Sequence, residues 1–242
     1  MPDALFDDPR FARLYDPLDP DRGDLDVYAA IVDEFKAQTV LDVGCGTGTF
    51  ACLLARSGRN VVGVDPARAS LDVARTKPGA ESVRWIHGDA TTLPPLTADL
   101  AFMTGNVAQV FLTDEEWMAT LAGIHSALRP GGRLVFESRD PEKQAWREWT
   151  RERTYIDTQL KGVGRVRTWT DLAEVAPPFV TFESTLILPS GETLHSTSTL
   201  RFRSRDELER SLVEAGYTVD EVRDAPDRPG REFVFVARAV SS

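Results

Sequence analysis

Two cysteines, three histidines and three methionines in 242 residues leave little material for disulfide, zinc or thiol chemistry. Cys45 and Cys52 are too few for a disulfide framework and lack the spaced partners of a zinc site, so both read as small buried hydrophobes. No apolar run approaches the roughly 18 residues that a membrane-spanning helix needs. The amino end, Met1-Pro2-Asp3-Ala4, carries neither a basic flank nor an apolar signal region. These absences set the expectation of a soluble, cytoplasmic chain. Positive charge is also short: 28 Lys and Arg against 38 Asp and Glu give a formal charge of −10. A phosphate-tracking surface needs a basic face, so nucleic acid is disfavoured as a partner and a small molecule is favoured. The one basic cluster, Arg147, Arg151, Arg153, Lys161, Arg165 and Arg167, is interleaved with Glu148, Glu152 and Asp157, as on a solvated face. No internal repeat or low-complexity linker is visible, and 42% apolar residues suffice for one sizeable core with room for an insertion.

What the chain does contain is a glycine loop, Gly44-Cys45-Gly46-Thr47-Gly48, between an apolar run, Thr39 to Val43, and a helical pattern that starts at Thr49 and stops near Gly58. Without Cβ atoms, such a loop can take positive φ and let a ligand reach van der Waals distance of the backbone, with the first helical amides facing it. A second apolar run ends in Asp65, 21 residues after Gly44, where doubly wound folds place the acid that grips ribose hydroxyls. An adenosyl ligand is the reading. A dinucleotide loop would be G-x-G-x-x-G, but its last place falls on Thr49, which disfavours a nicotinamide cofactor.

The pattern Asp42-x-Gly44-x-Gly46-x-Gly48 resembles the first motif of the class I S-adenosylmethionine-dependent methyltransferases, acid included. His87-Gly88-Asp89-Ala90 is similar to that family's G-D-A segment, Leu128-Arg129-Pro130-Gly131-Gly132 to its L-x-P-G-G turn, and residues 208–216 to its late L-x-x-A-G helix. The resemblance covers about residues 38–140 and 204–239, and motifs in the family's order are more specific than any glycine loop alone. It implies S-adenosylmethionine as cofactor, leaving as S-adenosylhomocysteine. It further implies cofactor contacts from Asp42, Gly44, Cys45, Gly46 and Gly48, from Asp65 and Pro66 at the ribose, and from Asp89 and Ala90 at the adenine. Asn106 and Val107 would line the methyl-transfer end, where the absence of an Asn-Pro-Pro-Tyr run disfavours amino methylation of DNA. Tyr15 resembles the family's N-terminal tyrosine that closes over the cofactor; a ring packing its own segment is the plainer reading. His87 reads as structural.

Periodicity places strands near 39–43, 60–65, 83–87, 98–103 and 133–138, with helices near 49–57, 67–76 and 113–128. The alternation implies a doubly wound α/β fold with helices on both faces of a mostly parallel sheet. Strands near 217–223 and 233–238 complete seven, the last antiparallel as the family resemblance implies. In the 113–128 helix, Thr113 and Glu116 form a capping box and Trp117, Leu121, Ile124 and Leu128 one apolar stripe, which leaves His125 as a surface histidine. Ser204 and Glu207 cap a later helix. Between the core blocks, residues 153–203 turn rich in Thr, Val, Phe and Trp and read as an inserted antiparallel β cap. A turn centred on Ser190-Gly191 would set His195 opposite Leu186. The domain plan is an N-terminal lid segment at 1–37, a core at 38–152 and 204–242, and the cap at 153–203.

Ligands of open α/β sheets sit beyond the carboxyl ends of the strands, so the cap is placed to meet a substrate; a subunit contact is the other reading. Methyl transfer from a sulfonium is an in-line displacement, and alignment makes a base optional. The expected activity is therefore methyl transfer to an oxygen or nitrogen nucleophile of a small-molecule acceptor. Alternatives are an RNA or protein methyltransferase and a non-catalytic protein that binds the cofactor or its product. The sequence shows no decisive base, and His195, the only histidine in the cap, is the candidate. Arg139, Trp146 and His195 are the candidate acceptor contacts, with surface pairing for Arg139 and core packing for Trp146 and Trp149 as the plainer readings. Monomer and homodimer both remain open, and no metal ligands are visible.

Overall fold

The computed structural model describes residues 2–225 and 227–240. At its centre lie two parallel strands, β1 (Thr39–Val43) and β2 (Asn60–Asp65), joined by the glycine loop and α4 (Thr49–Arg56). To one side follow α5 (Arg68–Ala74) and β3 (Val83–His87), which pairs with β2. To the other lie β4 (Ala98–Met103), α6 (Asp114–Ala127), β5 (Leu128–Arg139), α8 (Arg205–Glu214), β10 (Tyr217–Asp224) and β11 (Glu232–Ala239). The seven strands run in the order β10-β11-β5-β4-β1-β2-β3, and β11 is antiparallel to both of its neighbours. Strand order reverses between β1 and β4, the place where such sheets open a crevice for ligands.

Both faces of the sheet are covered. On one, α6 and α8 bury Trp117, Leu121, Ile124, Leu208 and Leu212; on the other, Phe50 and Leu54 of α4 pack with Val40, Leu100, Phe102 and Val135. Each such Leu or Phe contributes roughly 1.5–3 kcal/mol through burial. The α6 stripe and its Thr113–Glu116 capping box form as the spacing predicts. His125 differs: it is half-buried, its Nε2 lies 3.1 Å from the Gly216 carbonyl, and its ring meets Tyr217 edge-on. The aromatic and the carbonyl belong to the α8–β10 turn, which a periodicity count on α6 alone does not see. β5 starts earlier than expected, because Leu128 already pairs with Ala98 before the turn at Gly131 shifts the register.

The first 37 residues form three helices, α1 (Ala4–Asp7), α2 (Pro9–Leu18) and α3 (Asp24–Glu34). α3 is core rather than lid, since Leu25, Tyr28, Ile31 and Val32 are buried against β1, α4 and β4. The expected lid segment at 1–37 therefore includes, from Asp24 onward, a helix that belongs to the core.

The cap begins after α7 (Arg151–Thr154). It is a four-stranded antiparallel sheet, β6 (Ile156–Leu160), β7 (Gly164–Ala176), β8 (Phe179–Ile187) and β9 (Thr193–Arg201). Val166, Leu186 and Leu194 pack on Phe11 and Leu14 of α2, so cap and lid share one small core. The β8–β9 loop closes on the pair Ile187–Thr193, which puts His195 opposite Thr185 rather than Leu186. A register change of one residue moves a side chain to the other face. No helix among the described residues is long and apolar enough to cross a membrane.

Candidate active site

The glycine loop leaves the end of β1 with Gly44 and Cys45 donating their amides to the Val64 carbonyl, at 2.9 and 3.2 Å. Gly46 is left-handed, with φ of 52°, and a Cβ there would meet nothing within 4 Å, so the loop turns a bare backbone face to open space. Gly44 has the opposite surroundings: a Cβ would come within 2.6 Å of the Val107 side chain, which seals the loop against the segment after β4. At the end of β2, Asp65 accepts hydrogen bonds from the Gly46 and Ala67 amides, both at 2.7 Å. Burial raises its pKa, opposed by those two amides. The carboxylate is thus fixed at the loop's open face, with lone pairs left for further donors. Asp42 lies beneath, 1% exposed, and neither of its oxygens has a hydrogen-bond partner. Burial first and the Asp65 charge second push its pKa up to about 7.

Around this loop the other sequence-predicted residues fall into place unevenly. Pro66 follows Asp65, and its carbonyl lies 3.0 Å from Nε2 of His87, the structural role expected of that histidine. Asp89 is exposed and caps the turn at Ala90–Thr92, accepting from the Thr91 amide at 2.8 Å, while Ala90 is buried beneath it. Asn106 and Val107 follow β4; Val107 packs against the loop at Gly44, while the Asn106 side chain faces Glu137 and Glu232.

Beyond the ends of β4 and β5 opens a cleft of about 570 Å³. It is lined by Tyr15, Asn106, Glu137 and Arg139, by residues between Asp19 and Asp24, and by Asp227 and Arg228. Arg139 donates to Gln109 Oε1 at 2.9 Å, lies 3.6 Å from Glu232 and sits 5.4 Å from the ring centre of Trp149. Trp146 is not part of the cleft wall; it is buried edge-on against Phe202 at 4.6 Å, as core packing requires. His195 is likewise outside. It lies on the outer face of the cap with its side chain 56% exposed, and Nδ1 is 2.8 Å from Glu183. The one-residue register difference is the reason.

Residues that sequence reasoning passed over complete the site. Tyr28 donates its hydroxyl to Glu137, which also accepts from the Asn106 amide N–H at 2.9 Å. Burial and the nearby Glu232 raise the Glu137 pKa. The signal was legible: a carboxylate inside the run Leu134-Val135-Phe136-Glu137 is out of place in a buried strand unless something holds it. On α2, Asp16 accepts from Thr47 Oγ at 2.8 Å and pairs with Lys77 at 2.7 Å, latching the lid to the glycine loop. Nothing in the sequence pattern marks that latch.

Residues 40–132 match the methyltransferase domain family. Over 105 residues the chain is 39% identical to the cypemycin N-terminal methyltransferase of a Streptomyces species, a match that covers 43% of each protein. The chain spans less than half the length of the first curated relatives it matches. Similarity of fold extends further. The CcbJ methyltransferase of Streptomyces caelestis superimposes with a TM-score of 0.74 at 22% identity, over 94% of this chain and 96% of that one. The S-adenosylmethionine-bound amino pentose methyltransferase CalS10 of Micromonospora echinaspora gives 0.67 at 22% identity, over 89% and 92%. Residues 40–132 thus match the methyltransferase domain family, and the fold as a whole is similar to that of S-adenosylmethionine-dependent methyltransferases of known structure.

Proposed function

We propose that the protein transfers a methyl group from S-adenosylmethionine to an oxygen or nitrogen nucleophile of a small-molecule acceptor. The observation that carries this reading is the Asp65 carboxylate fixed by two amides at the open face of Gly46, a cradle that a Cβ at residue 46 would partly fill. When bound, S-adenosylmethionine supplies an electrophilic methyl on a good leaving group, so the protein's task is alignment and the exclusion of water. Asp65 and Pro66 would hold the ribose, Asp89 and Ala90 the adenine, and Asn106 and Val107 would border the reacting end. Tyr15 and Arg139, both of which line the cleft, would border the acceptor, with Trp149 packed against the Arg139 guanidinium. The cleft volume, about 570 Å³, is of the size that holds a small molecule. Its lining carries five carboxyl side chains, Asp19, Asp21, Asp24, Glu137 and Asp227, against three guanidinium groups, which favours an acceptor bearing an amine. The likeness to an amino pentose methyltransferase supports the same class. The relative named for methylating an N-terminus favours a peptide amine as the second reading.

Calorimetry with S-adenosylmethionine and with NAD tests the donor. Asp65→Ala should weaken S-adenosylmethionine roughly a hundredfold, since two hydrogen bonds to a carboxylate contribute at least about 3 kcal/mol. Unchanged affinity, or preference for NAD, would sink the reading. Isotopically labelled methyl groups should appear in extractable metabolites; their appearance in a macromolecular fraction would promote the second reading.

A further inference from the structure

The inserted sheet does not reach the cleft directly: among the described residues that line it, none belongs to β6, β7, β8 or β9. What the sheet touches is the helical pair α1 and α2. Val166, Leu186 and Leu194 close an apolar core with Phe11 and Leu14 of α2. In the β8–β9 loop, Glu192 pairs with Arg10 of α2 at 2.6 Å. On β9, Ser196 Oγ accepts the Leu5 amide N–H at 2.8 Å. That amide lies in the first turn of α1, a helix of four residues whose flanking Asp3 makes no side-chain capping bond. First-turn amides find no partner inside a helix, and so short a helix has no stability of its own. A hydroxyl from the inserted sheet therefore supplies the cap that the local sequence lacks.

The same two helices also meet the glycine loop and α5. The Phe6 carbonyl accepts from Ser70 Oγ at 2.7 Å, and Asp7 accepts from the Ala69 amide at 3.2 Å, just beyond Asp65. Asp16 accepts from Thr47 Oγ at 2.8 Å and pairs with Lys77 at 2.7 Å, while Tyr15 lines the cleft. These contacts are single hydrogen bonds and one ion pair, which hold weakly where water competes. The contact with the sheet buries apolar side chains and holds more firmly. α1 and α2 thus leave the glycine loop more readily than they leave the sheet. We propose that the inserted sheet is a bracket for α1 and α2 and so sets how often the donor site opens, with Leu194 and Ser196 as positioning residues for Tyr15 and Asp16. The assignment rests on the methyl-donor reading above.

The test follows opening by two readouts on the full chain: limited proteolysis within residues 1–22 without ligand, and the release rate of bound S-adenosylhomocysteine. Leu194→Ala should accelerate both about tenfold or more. Ser196→Ala, which removes one hydroxyl and no bulk from the apolar core, should accelerate both about fivefold. For each variant the two factors should agree, because cleavage and release track the same opening. Val180→Ala is the control: Val180 is fully buried in the sheet's other core, with Trp146 and Phe202, and no residue of that core belongs to α1 or α2. It should lower the melting temperature and leave both rates within about twofold. Thermal melting establishes that each variant is folded, and Ser196→Ala alone carries the comparison if Leu194→Ala is not. Equal acceleration by Val180→Ala, faster cleavage without faster release, or no change with the β9 variants overturns the assignment. A wild-type chain that binds no S-adenosylhomocysteine overturns the methyl-donor reading itself, and the cleavage rates then still decide whether the sheet holds α1 and α2.

Discussion

Asp42→Asn is expected to make the protein more stable at alkaline pH and less stable at acid pH. Asp42 lies in the central strand, 1% exposed, with both oxygens unpartnered and Asp65 nearby. Its carboxyl ionises near 3.8 in an unfolded chain and near about 7 in the fold. Between those values the native state holds a proton that the unfolded state has released. The group's contribution to stability is therefore complete below about pH 4 and falls by about 1.4 kcal/mol per pH unit until pH 7. Over the whole window that is a loss of about 4 kcal/mol, and from pH 5 upward about 3 kcal/mol. Asparagine has the same shape and does not titrate, but its buried amide costs about 1–3 kcal/mol at every pH. The wild type has lost about 1.6 kcal/mol of this contribution at pH 5 and about 4 kcal/mol at pH 8, so the variant should be about as stable as the wild type at pH 5, weaker below pH 4 and stronger at pH 8. Urea unfolding of both proteins at the two pH values measures this, because effects of carboxyls that do not interact with Asp42 cancel in the difference. A stability difference that is the same at pH 5 and pH 8 would show that Asp42 is already ionised at pH 5, and would refute the argument from its unpaired burial.

Two further outcomes follow from the geometry. His195→Ala should change the rate of methyl transfer by no more than about twofold, as for other exposed positions, and a loss of tenfold or more would return this residue to the site. Asp16→Ala removes the partner of Lys77, Thr47 and Thr49 and should loosen α2; limited proteolysis within residues 1–22 should accelerate by about fivefold, the equivalent of roughly 1 kcal/mol, while an unchanged cleavage rate would show that the shared α2–cap core alone holds the lid.

Local chemistry decided the parts of this protein that could be read in advance. β1 through β4 and the caps at Thr113 and Ser204 depend on residues within a few positions of one another, and strand bounds such as Asn60–Asp65 emerge from the apolar runs unaided. The glycine loop and Asp65 are legible for the same reason: positive φ and a strand-end carboxylate are written into single positions. α3 was hidden because its apolar residues follow an acid-rich stretch that resembles a solvated lid, and only β1, α4 and β4 give them something to cover. His195 was misplaced because an antiparallel register hangs on the size of one loop, which side-chain alternation cannot count. Glu137, Glu232 and Tyr28 stand on β5, β11 and α3, more than 90 residues apart at each step, and hydrogen bonds across such separations leave no trace in spacing. The sequence by itself determined the match to a methyltransferase domain, the sheet and the glycine loop, because each rests on backbone preferences repeated locally. The cleft and the partners of Asn106 were decided only in three dimensions, where buried polar groups must find partners from distant strands.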